Sequence, residues 1–520
     1  MRRIALAILL AAVVAAGVRW GTFVAGGSDS YCYVHQAERW ASLLRQGFGG
    51  QAGRLQVREP LAAEAPWPDA ALTFTPSGHR PSPTVPGAIV PICPAGLSLV
   101  MAPLLAAGGP VAMFLVVPLF GALLVAATYA AGARFGQRIG LASAMLIAAS
   151  PVFLFQLVQP MSDVPAAALW MLAVAAVTGT KPRGAVIAGL ATSAAILMRP
   201  NLVPLGIPLA AFLLLRPERP WRERLRTTAV YAACAAPGCI AVALIQNALY
   251  GSPFSSGYGA LDGLFAVDHI GPNASRYLSW LSETHTPVWI LAAAAPFLLP
   301  GALTRLFAAM FLLNLASYLP YVVFDDWSYL RFLLPTIPLV LILAVAAIDA
   351  VWRRMAAGPL RGTRPTYVVV PVAIVTVALV VFFIAEARER SVFRLQQLEA
   401  RYARAGEFVD RRLPANAIVI TSWQSGSVRF YSGRKTLTWD VLDPAWIDRT
   451  VAYVRTRGLE PFLLFEGWEE PIFRQRFAAS PLGALDWPPM AEVASQVRIY
   501  RPGDRELYLQ GIQPPTEYAR

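Results

Sequence analysis

The sequence predicts a polytopic α-helical membrane protein of about eleven transmembrane helices, followed by a C-terminal extracytoplasmic α/β domain. Three observations carry this. Of 520 residues 56% are hydrophobic and 14% charged, and the apolar ones gather in long charge-free runs. A soluble core of this size buries faces rather than whole segments and does not need such runs. The basic residues concentrate in alternate short loops between the runs, as topology signals do. After residue 385 the apolar runs stop, and strand-like and helix-like patterns alternate.

The first run, residues 4–18 behind Arg2 and Arg3, reads as an uncleaved anchor, because apolar character resumes after Arg19 at Trp20, Phe23 and Val24. It delivers the following stretch, about 26–109, to the outside. That stretch reads as loop-like, with glycines at 47–50 and many prolines. Within it, residues 84–109 carry no charge and are long enough for a bilayer core of ~30 Å. Charge counting argues against a crossing. If the segment only lies on the outer face, the later runs fall at about 110–132, 140–160, 164–179, 184–198, 200–215, 227–250, 287–304, 306–324, 332–348 and 366–385. The inside loops then hold Arg134, Arg138, Lys181, Arg183, the basic cluster at 216–226, Arg305, Arg353, Arg354, Arg361 and Arg364. The short outside loops hold only Arg199, Arg276 and Arg331. A crossing would invert every assignment against the positive-inside bias. The expectation is a transmembrane part over 1–385, N-terminus inside, and an outer domain over 386–520, in a bacterial inner membrane facing the periplasm.

The net charge of +13 belongs to these loops and to membrane-lipid headgroups, and no basic helix or aromatic-basic signature points to nucleic acid. In the outer domain, 386–412 reads as a surface helix, 417–423 and 428–431 as strands, 446–458 as a helix, and 461–465 and 496–502 as strands. No glycine-rich phosphate loop precedes its helices. Arg429, Tyr431, Arg434 and Trp439 form a candidate glycan-facing set.

By this topology all four histidines, His35, His79, His269 and His285, lie outside. So do Asp29, Asp163, Asp325, Asp326, Arg199 and Arg331, each at the outer end of a run. Ionisable groups at membrane depth are costly, and their shared side marks a functional face. Arg199 falls in Met198-Arg199-Pro200-Asn201, between two short runs; such a break is tolerable only beside a cavity. Asp268, His269 and His285 are weak candidates for a divalent metal; a site needs three or four convergent ligands, and none is assigned. Cys32 and Cys93 share the outer loop, where oxidation can occur, and their pairing stays open.

The layout resembles the C-type (GT-C) glycosyltransferases, in particular glycosyltransferase family 39 with its protein mannosyltransferase-like and aminoarabinose transferase-like enzymes. Four stretches carry the resemblance: Asp29 with Tyr31 and Tyr33 after the first span; the proline-rich segment 83–103, like the family's surface-lying loop helix; SPVFLFQLVQPMSDVPAAALW (150–170) with Asp163; and SYLRFLLPTIPLVLILA (328–344) with Arg331. Where the family often pairs two acids, Asp29 is flanked by Ser28 and Ser30, so Glu38, Glu59, Glu64 and Asp69 are the candidates for a second.

The resemblance implies an inverting transfer of a hexosyl or pentosyl group from a polyprenyl-phosphate donor to a glycan, lipid or protein acceptor. It assigns Asp29 as general base. Arg331 and Arg199 would bind the donor phosphate, since guanidinium matches phosphate bidentately. Asp163 holds the acceptor, orients Arg199, or caps the span near Pro165. Tyr31, Tyr33, His35, Asp325 and Asp326 are further candidate substrate contacts, the tyrosines also fitting an interfacial aromatic belt. Alternatives are transfer of a larger lipid-linked oligosaccharide, a glycolipid transporter or flippase, or a membrane scaffold. A transporter would show half-to-half repeats and midplane charges, and the sequence shows neither.

Overall fold

The structure, a computed structural model, describes residues 2–46, 55–179, 181, 183–259, 263–357 and 366–519. The glycines at 47–50, and Arg361 and Arg364 from the inner-loop count, lie outside the described residues. Apolar helices pack into one bundle whose largest buried side chains include Trp170, Phe153 and Phe307. Among the described residues two helices, Ala95–Phe114 and Trp221–Tyr250, are long and apolar enough to cross a membrane. Counting bent pairs brings this to four: Gln137–Ala149 with Pro151–Leu157, bent by 60°, and Trp327–Leu333 with Ile337–Met355, bent by 82°. Both bends fall at prolines, Pro151 and Pro335, which remove a backbone donor and crowd the preceding turn.

Several predicted runs are broken differently. The runs at 287–304 and 306–324 are helices Val288–Leu298 and Ala302–Tyr318, separated at Leu299, Pro300 and Gly301, so Arg305 lies in a first helical turn rather than in a loop. The run at 200–215 opens as a 3₁₀ segment, Pro200–Leu205, before the helix Gly206–Leu214.

The first outer stretch is not loop-like. It opens with the helix Asp29–Gln46 and contains an antiparallel sheet of β1 (Val57–Arg58), β2 (His79–Pro81) and β3 (Ala88–Pro91) in the order β1-β3-β2. The expected loop helix over 83–103 is therefore split: β3 takes its first part, and the helix begins only at Ala95, behind Pro94, and reaches Phe114 across a kink at Gly109 (φ 75°). The Asp29–Gln46 helix runs beside this one in the same direction. The Cys32–Cys93 disulfide joins their starts, Ser98 Oγ donates to Tyr33 O at 2.8 Å, and Arg45 Nη2 donates to Leu105 O at 2.9 Å.

The C-terminal part is a six-stranded mixed sheet in the order β5-β4-β6-β8-β7-β9. Its strands are β4 (Ala417–Ile420), β5 (Lys435–Leu437), β6 (Glu460–Glu466), β7 (Ala491–Val493), β8 (Val497–Tyr500) and β9 (Glu517–Ala519). Strands β5, β4 and β6 are parallel, and β4 is buried at every position, as expected when both faces are covered. Ala417, Val419, Phe462 and Leu464 face the helix Leu395–Arg412. Ile418, Ile420, Leu463 and Phe465 face the opposite layer, which includes Trp67 and Phe74 from the first outer stretch. The two regions are thus one packed unit. Arg429 Nη1 reaches Glu59 at 2.6 Å, Arg429 Nη2 donates to Phe74 O at 2.6 Å, and Thr438 N donates to Thr73 O at 2.7 Å.

Two expectations for this part fail. Residues 428–431 are not a strand but lie in the helix Ser425–Ser432, closed by Gly433 at φ 65°. A short apolar run cannot be told from a buried helical turn by periodicity alone. Nor does the expected glycan-facing set face outward. Arg429 is held by Glu59 and Phe74; the Tyr431 hydroxyl accepts from Ala25 N at 2.9 Å; Arg434 Nε donates to Pro414 O at 3.0 Å; and Trp439 is core.

Where the two regions meet, His35 Nδ1 lies 3.1 Å from His79 Nε2, and the Tyr31 ring packs on both imidazoles. Burial, with Arg39 and Arg429 adding repulsion, lowers His35 to about 3; burial, with His35, also lowers His79. The unfolded chain protonates both near pH ~6.5 while the fold keeps them neutral, so this contact loses stability as pH falls below that value. Glu469, pushed up by burial to about 7, contributes the opposite slope. The melting temperature of the double variant His35→Phe/His79→Phe should therefore fall less between pH 7 and pH 5 than that of the wild type. Cys32→Ser/Cys93→Ser should migrate alike on reducing and non-reducing gels and melt at a lower temperature than the wild type, whereas the thiol-blocked wild type should migrate differently on the two gels.

Candidate active site

Four sequence-predicted residues converge on one cavity of about 860 Å³: Asp29, Asp163, Arg199 and Arg331. Each is delivered by a break in regular structure. Asp29 is the first residue of its helix, entered through Gly26 and Gly27, the latter at φ 55°. Gly26 lies so close under the Tyr402 ring that a β-carbon there would collide with it. Asp163 opens the helix Asp163–Val177. Arg199 is extended (φ −146°, ψ 91°), the conformation that a following proline imposes, and so leaves the axis of the helix before it. Arg331 lies in the 3₁₀ segment Trp327–Leu333, ahead of the 82° bend.

The charges form two pairs. Arg331 Nη2 is 3.1 Å from Asp29 Oδ2, and Arg199 Nη1 is bonded to Asp163 Oδ1. Both guanidiniums contact the Phe332 ring, whose centroid is 5.3 Å from Arg199 Cζ and 5.5 Å from Arg331 Cζ. The ring stacks on Tyr318 at 4.7 Å. Cation–π attraction then helps to hold two like charges on one wall. The two acids differ in access: the Asp29 side chain is 31% exposed and that of Asp163 only 2%. Asp163 is thus engaged by Arg199 within the fold. It does not cap its helix, since Ser162 occupies that position and no side-chain cap bond forms.

The helix period sorts the other candidates. Positions four apart share a face, so Tyr33 looks into the cavity with Asp29 and bonds Ser162 Oγ at 2.8 Å. Tyr31 and His35 turn instead to the C-terminal unit, where Tyr31 packs on Gly426. Asp325 is exposed and paired with Arg276, and Asp326 Oδ1 accepts from Ser328 N at 2.8 Å; neither lines the cavity. The metal candidates do not converge either. His269 contacts Pro320 O at 3.1 Å beside Asp268, whereas His285 ends the helix Ile270–His285, roughly 24 Å away at 1.5 Å per residue, between Ser150 and Thr284. Among the described residues no three His, Cys, Asp or Glu side chains gather to hold a metal ion.

Residues that sequence reasoning missed complete the cavity. The Tyr318 hydroxyl accepts from Asn201 Nδ2 at 2.5 Å and from Arg199 Nη2 at 3.4 Å. Glu399, Arg401, Tyr402 and Trp423 enter from the C-terminal unit. The amphipathic pattern of 386–412 showed a polar face but not what it faces.

Several solved structures share this overall fold. ArnT from Cupriavidus metallidurans bound to undecaprenyl phosphate matches with a TM-score of 0.54 at 12% identity, over 95% of this chain and 97% of that one. This chain has the GT-C fold. The archaeal oligosaccharyltransferase AglB from Archaeoglobus fulgidus, in complex with an inhibitory peptide and a dolichol-phosphate, matches at TM-score 0.51 and 10% identity, over 93% of this chain and 72% of that one. The arabinofuranosyltransferase AftD from Mycobacteria matches at TM-score 0.50 and 15% identity, over 90% and 37%. Residues 94–245 match the family dolichyl-phosphate-mannose-protein mannosyltransferase, a span that includes Asp163 and Arg199 but not Asp29 or Arg331. No curated protein matches the chain by sequence.

If Asp163 serves to compensate Arg199, removing one partner should destabilise the fold by about 3–5 kcal/mol and removing both by less. Thermal melts in detergent should therefore rank Asp163→Ala below the double variant Asp163→Ala/Arg199→Met.

Proposed function

We propose that the chain is an inverting glycosyltransferase. It moves one sugar from a polyprenyl-phosphate donor to an acceptor on the extracytoplasmic face of a bacterial inner membrane. The observation that carries this reading is the Asp29–Arg331 pair: a half-exposed carboxylate held against a guanidinium on the wall of the cavity that Arg199 also lines. A donor phosphate bound at Arg331 frees Asp29. The carboxylate then accepts the proton of an acceptor hydroxyl while the acceptor oxygen bonds to the anomeric carbon. The bond from that carbon to the phosphate oxygen breaks with its electron pair, and polyprenyl phosphate leaves. Attack opposite the leaving group inverts the centre. Arg331 and Arg199 stabilise the charge that grows on the phosphate. Buried Arg331 Nε has no hydrogen-bond partner among the described residues, which suits a donor held for a ligand.

The undecaprenyl phosphate of the ArnT structure and the dolichol-phosphate of the AglB structure support a lipid-phosphate donor. The cavity volume falls in the small-ligand range of about 300–1,000 Å³, which favours one sugar over a large oligosaccharide. The eleven-span topology requires that Ala95–Phe114, one of the two described helices long and apolar enough to cross a membrane, lies at the outer face instead. Its first turns run beside a helix carrying Asp29, Glu38, Arg39 and Arg45, and such a neighbour keeps that part of it at the outer surface.

The test is lipid mass spectrometry on a deletion strain rescued at equal expression by wild type or by Asp29→Asn. One polyprenyl-phosphate sugar should accumulate, clear with wild type and persist with Asp29→Asn, whose transfer rate should fall ~10²–10⁴-fold. Full rescue by Asp29→Asn would remove the carboxylate from the chemistry. Arg331→Ala should lower kcat by about 10²–10³-fold, the scale of a lost transition-state donor.

A further inference from the structure

We infer that the mouth of the cavity on the C-terminal unit is a saccharide-binding subsite built on Trp423 and Trp468, so that the acceptor is itself a glycan. This rests on the transferase reading and names its acceptor class.

Two large aromatic side chains are left exposed side by side: Trp423 at 41% and Trp468 at 52%, with ring centroids 5.9 Å apart and planes at 80°. They follow the carboxyl ends of adjacent parallel strands, Trp423 after β4 and Trp468 after β6. That edge of a parallel sheet is where α/β units bind ligands, because the loops there diverge and leave a crevice. Trp423 also lines the cavity that contains Asp29.

The corner is rigid. Trp423 Nε1 donates to the Tyr402 hydroxyl at 2.5 Å, and Trp468 Nε1 donates to Glu466 Oε2 at 3.0 Å. Buried Glu469 ties the two loops together, accepting from Trp423 N at 3.2 Å and from Glu466 N at 2.9 Å. Both indole N–H groups are thus satisfied within the protein, and the exposed remainder of each side chain is aromatic carbon surface. An interfacial belt tryptophan uses its N–H toward the headgroups instead.

A saccharide matches such a corner. The axial C–H groups of a sugar ring form an apolar, slightly positive face that stacks on indole, while its hydroxyls need donors and acceptors at the rim. Glu399 and Arg401 line the same cavity as Trp423 and carry an acceptor and donors, Arg401 being held by Glu466 at 2.9 Å, by Glu399 at 3.1 Å, by Leu398 O at 2.7 Å and by the Tyr402 hydroxyl at 3.0 Å. A peptide or a simple alcohol would leave most of this corner unused.

The experiment is saturation-transfer NMR on the full-length protein in detergent micelles, with soluble oligosaccharides of glucose, galactose, mannose, arabinose and N-acetylglucosamine as probes. Wild type should bind at least one of them. Trp423→Ala and Trp468→Ala should each weaken that binding by about tenfold or more, as loss of a central aromatic anchor does. Trp468→Tyr, which keeps a stacking face, should retain most of it. This binding is read without donor and without turnover, so a failed transfer chemistry and a failed glycan subsite give different results. Should Trp423→Ala not fold, Trp468→Ala reads the same corner without disturbing the Tyr402 contact. Wild type binding none of the probes, or both alanine variants binding like wild type, would overturn the inference.

Discussion

An arginine close to a bilayer is tolerated only while something compensates its charge, and in this protein two such arginines share one phenylalanine ring. Arg199 is compensated within the fold: Asp163 is buried and takes its guanidinium. Arg331 is compensated by a carboxylate that remains half-exposed. The difference sets the character of the site. A permanently satisfied cation is a fixed electrostatic feature, whereas one whose partner is accessible can exchange that partner for a ligand. The surrounding architecture keeps both pairs in place. The Pro200 break aims Arg199, the 3₁₀ segment before the 82° bend carries Arg331, and the Gly26–Gly27 turn delivers Asp29.

The roof of the site depends on the first outer stretch packing into the C-terminal unit. Trp67 and Phe74 lie in the same core as Ile418 and Phe465, and Arg429 bridges the two regions through Glu59 and the Phe74 carbonyl. Tyr402, on the helix Leu395–Arg412, presses on Gly26 at one side and accepts from the Trp423 indole at the other. The glycine turn that presents Asp29 is thereby linked by direct contacts to the aromatic corner. This gives the interface between the two regions a consequence for chemistry as well as for stability.

The structure also separates residues that the outer face had grouped together. Asp325, Asp326, His269 and His285 share a compartment in the expected topology with Asp29, yet each is engaged elsewhere: by Arg276, by a helical cap, by a backbone carbonyl, or by Ser150 and Thr284. Being on the same side of a membrane restricts a residue to a layer, which is wide compared with the few ångströms over which side chains cooperate.

From the sequence alone followed the helical apolar bundle, the folded part after it, and the four charges Asp29, Asp163, Arg199 and Arg331. Hydrophobic run length and the cost of a charge beside apolar runs are local properties that a single chain displays. The strand–helix alternation after residue 385 was legible for the same reason, although 428–431 was not, because a run of four has no period to measure. Only the tertiary structure decided that Asp29 belongs with Arg331 across 302 positions, that Asp163 compensates Arg199, and that Tyr33 rather than Tyr31 faces the cavity. It also decided that Trp423 and Trp468 meet, which requires β4 and β6 to be neighbours in one sheet. Those facts depend on which distant segments pack together, and no local pattern of residues encodes a pairing between them.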